Sequence, residues 1–479
     1  MSRTLCIIIV LLLWQMSYAQ TTDLKEQIQK GEEAFAEMVA NQTYLFGLPV
    51  VLNYQFVNRI KVIDQAFKKG AIKIKLGNTE GGLLANKWIH VLGLPDHESK
   101  SGVSPNDDTH YSVCFVDLTK EPLIISVPAI IDRYFSLTIT DGYNENMYYV
   151  TTRLGDTKGG SYAFIGPNFT GKLPKGIKKT FKFPHNFFHF IARVEVNGTP
   201  EDGAKAIAMQ QQFKAESLSK FTGKIKEDIE VELPNVPRVT NGLEWFALML
   251  KCMQQDPPIA RDAHFLKQME LIGLKIDGTT DVNALSPVVK KALEKAYVSG
   301  QNMVNWYRVQ GGTILKNKWV VLYDRGVPNN NYLLRAQYSQ TGLNGHTKEE
   351  ALYVRGNLDE AGELLHGKYN YVLTIPKDKI PPVACFWSLI TYDNNSDFVK
   401  NPQFHYSVGE RKAHPLKRNT DGSITIYCQN EPPNGEVSNW LPTPKDEYFF
   451  LNYRLYCPNP ILFDQEVLNS YMPFVQKAK

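Results

Sequence analysis

Phe135-Ser136-Leu137-Thr138-Ile139-Thr140-Asp141 alternates apolar with hydroxyl side chains and stops on a carboxylate. A period of two places Phe135, Leu137 and Ile139 on one face and Ser136, Thr138 and Thr140 on the other, which is a strand with one buried face. Outward from it the same style recurs at 111–118, 123–127, 133–141, 147–152, 162–165 and 187–196, divided by Pro and Gly turns. Short strands at such spacing predict a β-sandwich. Beyond Gly311 the pattern returns at 371–375, 384–392, 423–428 and 449–456, where Phe449, Leu451, Tyr453 and Leu455 alternate with Phe450, Asn452, Arg454 and Tyr456. A second sandwich or jelly roll follows.

Between them the period changes. Asp202 is placed to cap a helix carrying Ile207, Met209, Phe213 and Leu218. Asn241 caps one carrying Trp245, Phe246, Met249 and Leu250 that Pro257-Pro258 ends, and Ser286-Pro287 opens a third. Ahead of the first sandwich, Leu24, Ile28, Phe35, Met38 and Val39 recur at helical spacing. Tyr44 to Val57 carries Gly47 and Pro49, which predict a turn before the helix resumes. The resulting division is a signal at 1–19, an N-terminal helical segment at 20–60, a sandwich at 61–200, a helical middle at 201–310 and a second sandwich at 311–479. No short internal repeat and no low-complexity tract is visible. A chain of 479 residues is long enough for several domains.

Arg3, the apolar run from Leu5 to Trp14, and Ser17 and Ala19 around Tyr18 read as a cleaved secretory signal ending at Ala19. The run is about half of the roughly 20 apolar residues that cross a bilayer, so no span is expected in the mature chain. The expected location is extracellular or periplasmic. The formal charge of +4 is scattered over short pairs such as Lys68-Lys69 and Lys178-Lys179, which argues against a nucleic-acid partner. Cleavage removes Cys6 and leaves Cys114, Cys252, Cys385, Cys428 and Cys457, an odd number. One pair among Cys385, Cys428 and Cys457 has strand positions that permit a bridge, but buried unpaired thiols are the expectation, since there is no C-x-x-C and the core is large. The sequons at Asn41, Asn168, Asn197 and Asn394 are candidate glycosylation sites in a eukaryotic secretory pathway.

These blocks identify a resemblance. Tyr44-Leu-Phe-Gly47-Leu-Pro49, Pro105-Asn106-Asp107-Asp108-Thr109, Tyr111, Asp117-Leu118, Val127-Pro128, Arg133-Tyr134, Asp141 and Tyr143-Asn144 stand in order in the first half. Leu334-Arg335-Ala336, Pro381-Pro382, Phe386-Trp387-Ser388-Leu389, Tyr392-Asp393, Asp421-Gly422-Ser423, Asn439-Trp440-Leu441-Pro442 and Arg454-Leu455-Tyr456 follow in the second. Nearly end to end after the signal, the chain resembles the two-part proteins whose halves are domains of unknown function 1254 and 1214. The resemblance implies a mainly β fold with α: an immunoglobulin-like sandwich, a helical middle and a jelly-roll-like C-terminal sandwich. It implies no agreed activity. His110 and Cys114 depart from the family's usual apolar or small residues.

The chemistry-bearing residues admit two classes of function. Asp108 and Asp141 are candidate acid and base of an ester or glycoside hydrolase, if their loops meet, with Asn106, Tyr143 and Asn144 positioning. No cofactor is expected, with a divalent cation on the oxygens of Asp107 and Asp108 as the alternative. Against this, Asn106, Asp108 and Asp141 are residue types that fix turns through their own side chains. Tyr111, Tyr392, Asn439 and Trp440 join flat apolar faces to amides and hydroxyls, a chemistry for stacking on a carbohydrate or another amphipathic ligand; Trp387 reads as core and Trp440 as a loop residue. His185 and His189 lie on a strand-like run, too far apart for one metal. No G-x-S-x-G, phosphate loop or dinucleotide fingerprint occurs. The expectation is therefore a secreted binding or matrix-associated protein for a carbohydrate, lipid or protein ligand, as monomer or homo-oligomer, with a secreted hydrolase as the alternative.

Overall fold

The computed structural model describes residues 3–70, 75–77, 83–99 and 104–478, with side chains from Asp23 onward. The side chains of the expected signal segment thus lie outside the described residues. The chain divides into two compact units, Met1–Gly47 with Arg238–Met303, and Leu48–Pro237 with Val304–Lys479.

In chain order the first helix, α1, is Arg3–Lys68. The strands β1 (Lys75–Gly77), β2 (Trp88–Leu92), β3 (Thr109–Asp117), β4 (Leu123–Val127), β5 (Phe135–Thr140), β6 (Asn146–Thr151), β7 (Gly160–Ile165), β8 (Ile177–Lys182) and β9 (Phe187–Glu195) follow. Then come α2 (Pro200–Gln210), β10 (Lys214–Ser217) and α3 (Leu218–Phe221). The middle is α4 (Gly242–Gln255), α5 (Ala263–Leu271) and α6 (Pro287–Gln310). The rest is β11 (Thr313–Ile314), β12 (Trp319–Val321), α7 (Tyr332–Thr341), β13 (Ala351–Gly356), β14 (Tyr371–Ile375), β15 (Val383–Asp393), β16 (Ser407–Gly409), β17 (Ile424–Gln429), β18 (Trp440–Pro442), β19 (Phe449–Pro458), α8 (Gln465–Tyr471) and β20 (Gln476–Lys477).

Both halves are β-sandwiches and the middle is helical, as alternation predicts. The helix caps are partly as expected. Asn241 accepts from the Glu244 amide and Ser286 from the Val289 amide. The cap of α2 is Thr199, not Asp202: Pro200 takes the first helical position and Thr199 accepts from the Asp202 amide. Gly47 and Pro49 make no turn, and α1 runs on with Pro49 inside it. The reason for the glycine is packing, since a Cβ there would sit 2.2 Å from Sδ of Met249 on α4. In that unit the Tyr44 ring lies 4.5 Å from Trp245 and Phe46 lies 4.9 Å from Phe265, so α1 up to Gly47, α4 and α5 share a core.

The two sandwiches have one topology. The first pairs a six-stranded sheet in the order β1-β2-β3-β9-β5-β6 with a four-stranded sheet β10-β4-β7-β8. The second has β11-β12-β13-β19-β15-β16 and β20-β14-β17-β18, the same orders ten strands later. Even the parallel pairs correspond, β7 with β8 and β17 with β18. Each sandwich has its own apolar core, built around Phe135, Leu137 and Phe190 in the first and Trp387, Leu389 and Leu451 in the second.

The cysteines depart from the expected thiols. Cys385 and Cys457 form a disulfide between the starts of β15 and the end of β19, while Cys114, Cys252 and Cys428 are buried and free. Adjacent antiparallel strands bring Cys385 and Cys457 to a Cα separation of 5.4 Å, a distance that a bridge requires.

Candidate functional site

Cross-strand register builds matching rows in the two six-stranded sheets. In the first, Tyr111 of β3 stands opposite Arg193 of β9, which stands opposite Ser136 of β5. In the second, Tyr353 of β13 stands opposite Arg454 of β19, which stands opposite Ser388 of β15. Directly paired residues share a face, so each sheet carries a Tyr–Arg–Ser row on the side away from its own core. These rows meet in a polar joint between the sandwiches.

The joint is reciprocal. Asp108 and Glu350 each precede the strand of their tyrosine, and their carbonyls accept from Val196 and Cys457 amides at 2.8 Å. Each carboxylate reaches into the other sandwich. The Ser388 hydroxyl donates to Oδ2 of Asp108 at 2.7 Å, and Lys412 Nζ lies 2.8 Å from its Oδ1. Glu350 accepts from the Tyr134 hydroxyl at 2.9 Å and from Arg153 Nε at 2.7 Å. Arg411 pairs with Glu195 at 2.9 Å. The first signature of the sequence, 105–111, therefore lies on the second, 386–393. The Tyr392 hydroxyl also donates to the Pro105 carbonyl, and Arg454 donates to that of Ser104 at 2.9 Å.

Asp107 and Asp108 hold an ammonium. Lys412 is 3.0 Å from Asp107 Oδ1 and 2.8 Å from Asp108 Oδ1, and Ser407 donates to Asp107 Oδ2 at 2.7 Å. Burial works to raise the Asp107 carboxyl, but Lys412 and Ser407 outweigh it and hold it below its ordinary value; burial works against the Lys412 charge, which the two aspartates nevertheless keep above its ordinary range. The oxygens that a divalent cation would use are thus held by a lysine.

Asp108 and Asp141 are not brought together. Asp108 sits beside the end of β9 at Glu195, whereas Asp141 follows Ile139, which pairs with Phe190 near the other end. Some eight residues of strand, roughly 26 Å, separate the two positions, against the roughly 5–10 Å that a carboxylate pair needs. Asp141 fixes a turn instead. Its Oδ1 accepts from the Tyr143 and Glu145 amides, both at 2.9 Å, and Asn144 takes φ 61°. Asp393, its counterpart on β15, accepts from the Asn395 and Asp397 amides with Ser396 at φ 66°. Burial and the neighbouring Glu145 push the Asp141 carboxyl up to about 7.

The remaining expected ligand residues divide. Asn106 uses its Oδ1 on the Asp108 and Thr109 amides and donates to the Tyr111 hydroxyl at 2.6 Å. Tyr111 is half-buried, with the Arg193 guanidinium 5.2 Å over its ring. Asn144 donates to Ser339 and accepts from the Asn344 amide, and Tyr143 is buried against His185, so this turn docks on α7 and the loop after it. Tyr392 is buried beneath Arg454. Asn439 and Trp440 lie elsewhere. Asn439 bonds the Lys417 and Thr425 backbone, and Trp440, expected in a loop, is wholly buried with Nε1 on the Gln429 carbonyl. Of the sequons, Asn168 and Asn394 are exposed, while Asn41 and Asn197 are half-buried.

Sequence reading missed Arg193, Arg325, His346, Lys412 and Arg454. Arg325 stacks over Tyr353 at 4.6 Å and donates to the Gly342 carbonyl at 3.1 Å. Gly345 makes room for it, since a Cβ there would stand 2.2 Å from Nε. His346 contacts Thr138 at 3.1 Å; burial, then Arg193 and Arg325, hold its imidazole well below its ordinary value, hence neutral.

The family models match both halves. "Protein of unknown function (DUF1254)" spans residues 85–217 and "Protein of unknown function (DUF1214)" spans 350–460. The chain belongs to this two-domain family. The matched stretches contain Asp108, Arg193, Ser388, Lys412 and Arg454, while Arg325 and His346 fall between them. The crystal structure of the VPA0106 protein from Vibrio parahaemolyticus is similar at 21% identity and a TM-score of 0.64, over 93% of this chain and 100% of that one, which concerns the fold alone. An uncharacterised protein from Burkholderia cenocepacia aligns at 11% identity over 96% of this chain and 98% of its own, with a TM-score of 0.42. No curated protein matches the chain.

Proposed function

We propose that this member of the DUF1254–DUF1214 family is a secreted binding protein that holds a small ligand, of carbohydrate or similar amphipathic chemistry, at the joint of its two sandwiches without turning it over. The observation that carries the reading is the pair of Tyr–Arg–Ser rows. They place aromatic faces and fixed donors on the facing sheets, and Tyr111, Tyr353 and Arg325 stay half-buried where Arg193 and Arg454 are buried. Hydrolysis by Asp108 and Asp141 is not the reading taken, because the two are far apart and each carboxylate is engaged in a structural role. Secretion is supported by the Arg3 to Ala19 pattern and by the disulfide, a bond that persists in oxidising compartments.

The test is a thermal-shift and calorimetric screen of the purified full chain against mono- and oligosaccharides, sugar acids and short-chain lipids, beside an assay on nitrophenyl esters and glycosides. A saturable rise in Tm that Tyr111→Ala and Tyr353→Ala both weaken, with no turnover, is expected. Turnover that Asp108→Asn abolishes in a folded protein would overturn the reading.

A further inference from the structure

Three of the joint's arginines, Arg193, Arg325 and Arg454, have no carboxylate of their own among the described residues, unlike Arg153 and Arg411. Arg193 donates to the Thr138 hydroxyl at 3.0 Å and the Asn344 carbonyl at 2.9 Å, Arg454 to the Ser104 carbonyl and Arg325 to the Gly342 carbonyl, all neutral acceptors. Among the described residues none of the three enters an ion pair. Nη1 of Arg454 and Nε of Arg325 are buried and lack any hydrogen-bond partner. Arg193 and Arg454 are 6% and 4% exposed. Arg325 is close enough to both for their charges, after burial, to push its guanidinium below its ordinary range. Asp108, whose field reaches Arg454, is already held by Lys412 and Ser388.

A guanidinium taken out of water without a counter-charge costs several kcal/mol, so proteins pair it or use it. Elsewhere in the same joint the rule is kept: Glu350 has Arg153, Glu195 has Arg411, and Lys412 has two aspartates. Three converging guanidiniums left on neutral acceptors, two with donors unspent, make the geometry that takes the planar or tetrahedral oxygens of an anion through paired N–H donors. Resting on the binding reading above, we infer that the ligand carries an oxyanion, a carboxylate or phosphate, which Arg193, Arg325 and Arg454 receive while Tyr111 and Tyr353 face its apolar or ring portion. Arg325, half-buried and lying between the two family-matched stretches, is the arm nearest solvent.

The probes are sodium phosphate, sodium sulfate and sodium D-glucuronate, with D-glucose as the neutral analogue, titrated into the full chain at constant ionic strength. A saturable rise in Tm with an oxyanion is expected, and Arg325→Gln should weaken it about ten-fold, the worth of one paired guanidinium. Arg325→Lys should recover part of it, and Lys316→Gln, whose exposed ion pair with Glu466 lies outside the joint, should leave it unchanged. Glucuronate against phosphate separates carboxylate from phosphate recognition. A linear, unsaturable rise that Arg325→Gln does not alter is general salting-out and overturns the inference. If glucose or another neutral compound binds saturably while no oxyanion does, the binding reading stands and the inference fails. No saturable response to any compound overturns both.

Discussion

Asp108 and Ser388, 280 positions apart, share a hydrogen bond of 2.7 Å in which the serine hydroxyl donates to Oδ2 of the carboxylate. The two motifs that identify the family thus touch, and their shared work is joining the sandwiches. Ser388→Ala leaves a buried carboxylate oxygen without that donor and should cost about 1–3 kcal/mol. Urea unfolding measures it; a loss under about 0.5 kcal/mol would mean that the bond does not hold the joint.

Lys412 is the only cation within ion-pair distance of both Asp107 and Asp108 among the described residues. Lys412→Met should therefore destabilise by about 3–5 kcal/mol, because two carboxylates remain buried without compensation. The triple variant with Asp107→Asn and Asp108→Asn should regain most of that loss. If the triple variant is no more stable than Lys412→Met alone, the ammonium is not what makes the pair tolerable.

How far the sequence carries can be seen in single residues. The alternation through 135–140 places β5, and Asn241 and Ser286 mark helix starts, because these signals act within a few residues. Asp141 was legible as a turn former for the same reason. Lys412 was not, since its partner Asp107 lies 305 positions away and no local pattern records such a distance. Trp440 shows why type does not give exposure: a Trp before Pro442 reads as a loop, yet β18 buries it by pairing with β17. The duplication is not visible in the sequence because core strands tolerate exchange among apolar residues. What persists between the copies is sparse: Tyr111 and Tyr353, Ser136 and Ser388, Asp141 and Asp393, Arg193 and Arg454.

The repeated Asp turn makes a matched prediction. Asp141→Ala and Asp393→Ala each remove an acceptor of two backbone amides and should each cost about 1–2 kcal/mol, whereas Asn, which keeps the oxygen, should cost less at either place. Denaturant midpoints of the four variants check it. Equal losses for Ala and Asn at Asp141 would restore a role for its charge.

The cysteines should separate chemically. Cys114, Cys252 and Cys428 are buried and should resist an alkylating reagent until the chain unfolds; Cys385 and Cys457 should label only after reduction, as peptide mapping would read. The bridge closes a sequence separation of 72, so replacing both cysteines by serine should cost about 4 kcal/mol on the loop-entropy estimate. Labelling of Cys385 in the native unreduced chain would contradict the pairing.

Acid should destabilise the fold through its buried histidines. Burial lowers His90 to about 4, His189 to about 3 and His405 to about 4, from 6.5. For each, the unfolded chain binds the proton first as the pH falls, so the stability is full above about 6.5 and is lost toward the folded value, with a slope of about 1.4 kcal/mol per pH unit. Asp141 acts with the opposite sign. Its carboxyl, raised from 3.8 to about 7, is protonated in the fold while ionised in the unfolded chain, so it takes stability away as the pH rises through that window. With His110 and His346 also lowered, these histidines outnumber the carboxyls that burial raises, Asp141, Glu350 and Glu410, and unfolding free energy should rise from pH 4.5 to 6.5. In Asp141→Asn the opposing contribution is gone, and the rise should steepen by about 1.4 kcal/mol per pH unit. The His189 ring, whose Nδ1 lies 2.6 Å from Asn53 Oδ1, supplies one of the positive slopes, and His189→Gln should flatten the curve by the same amount. A profile unmoved by Asp141→Asn, or a maximum below pH 5, would show that these groups do not govern the acid limb.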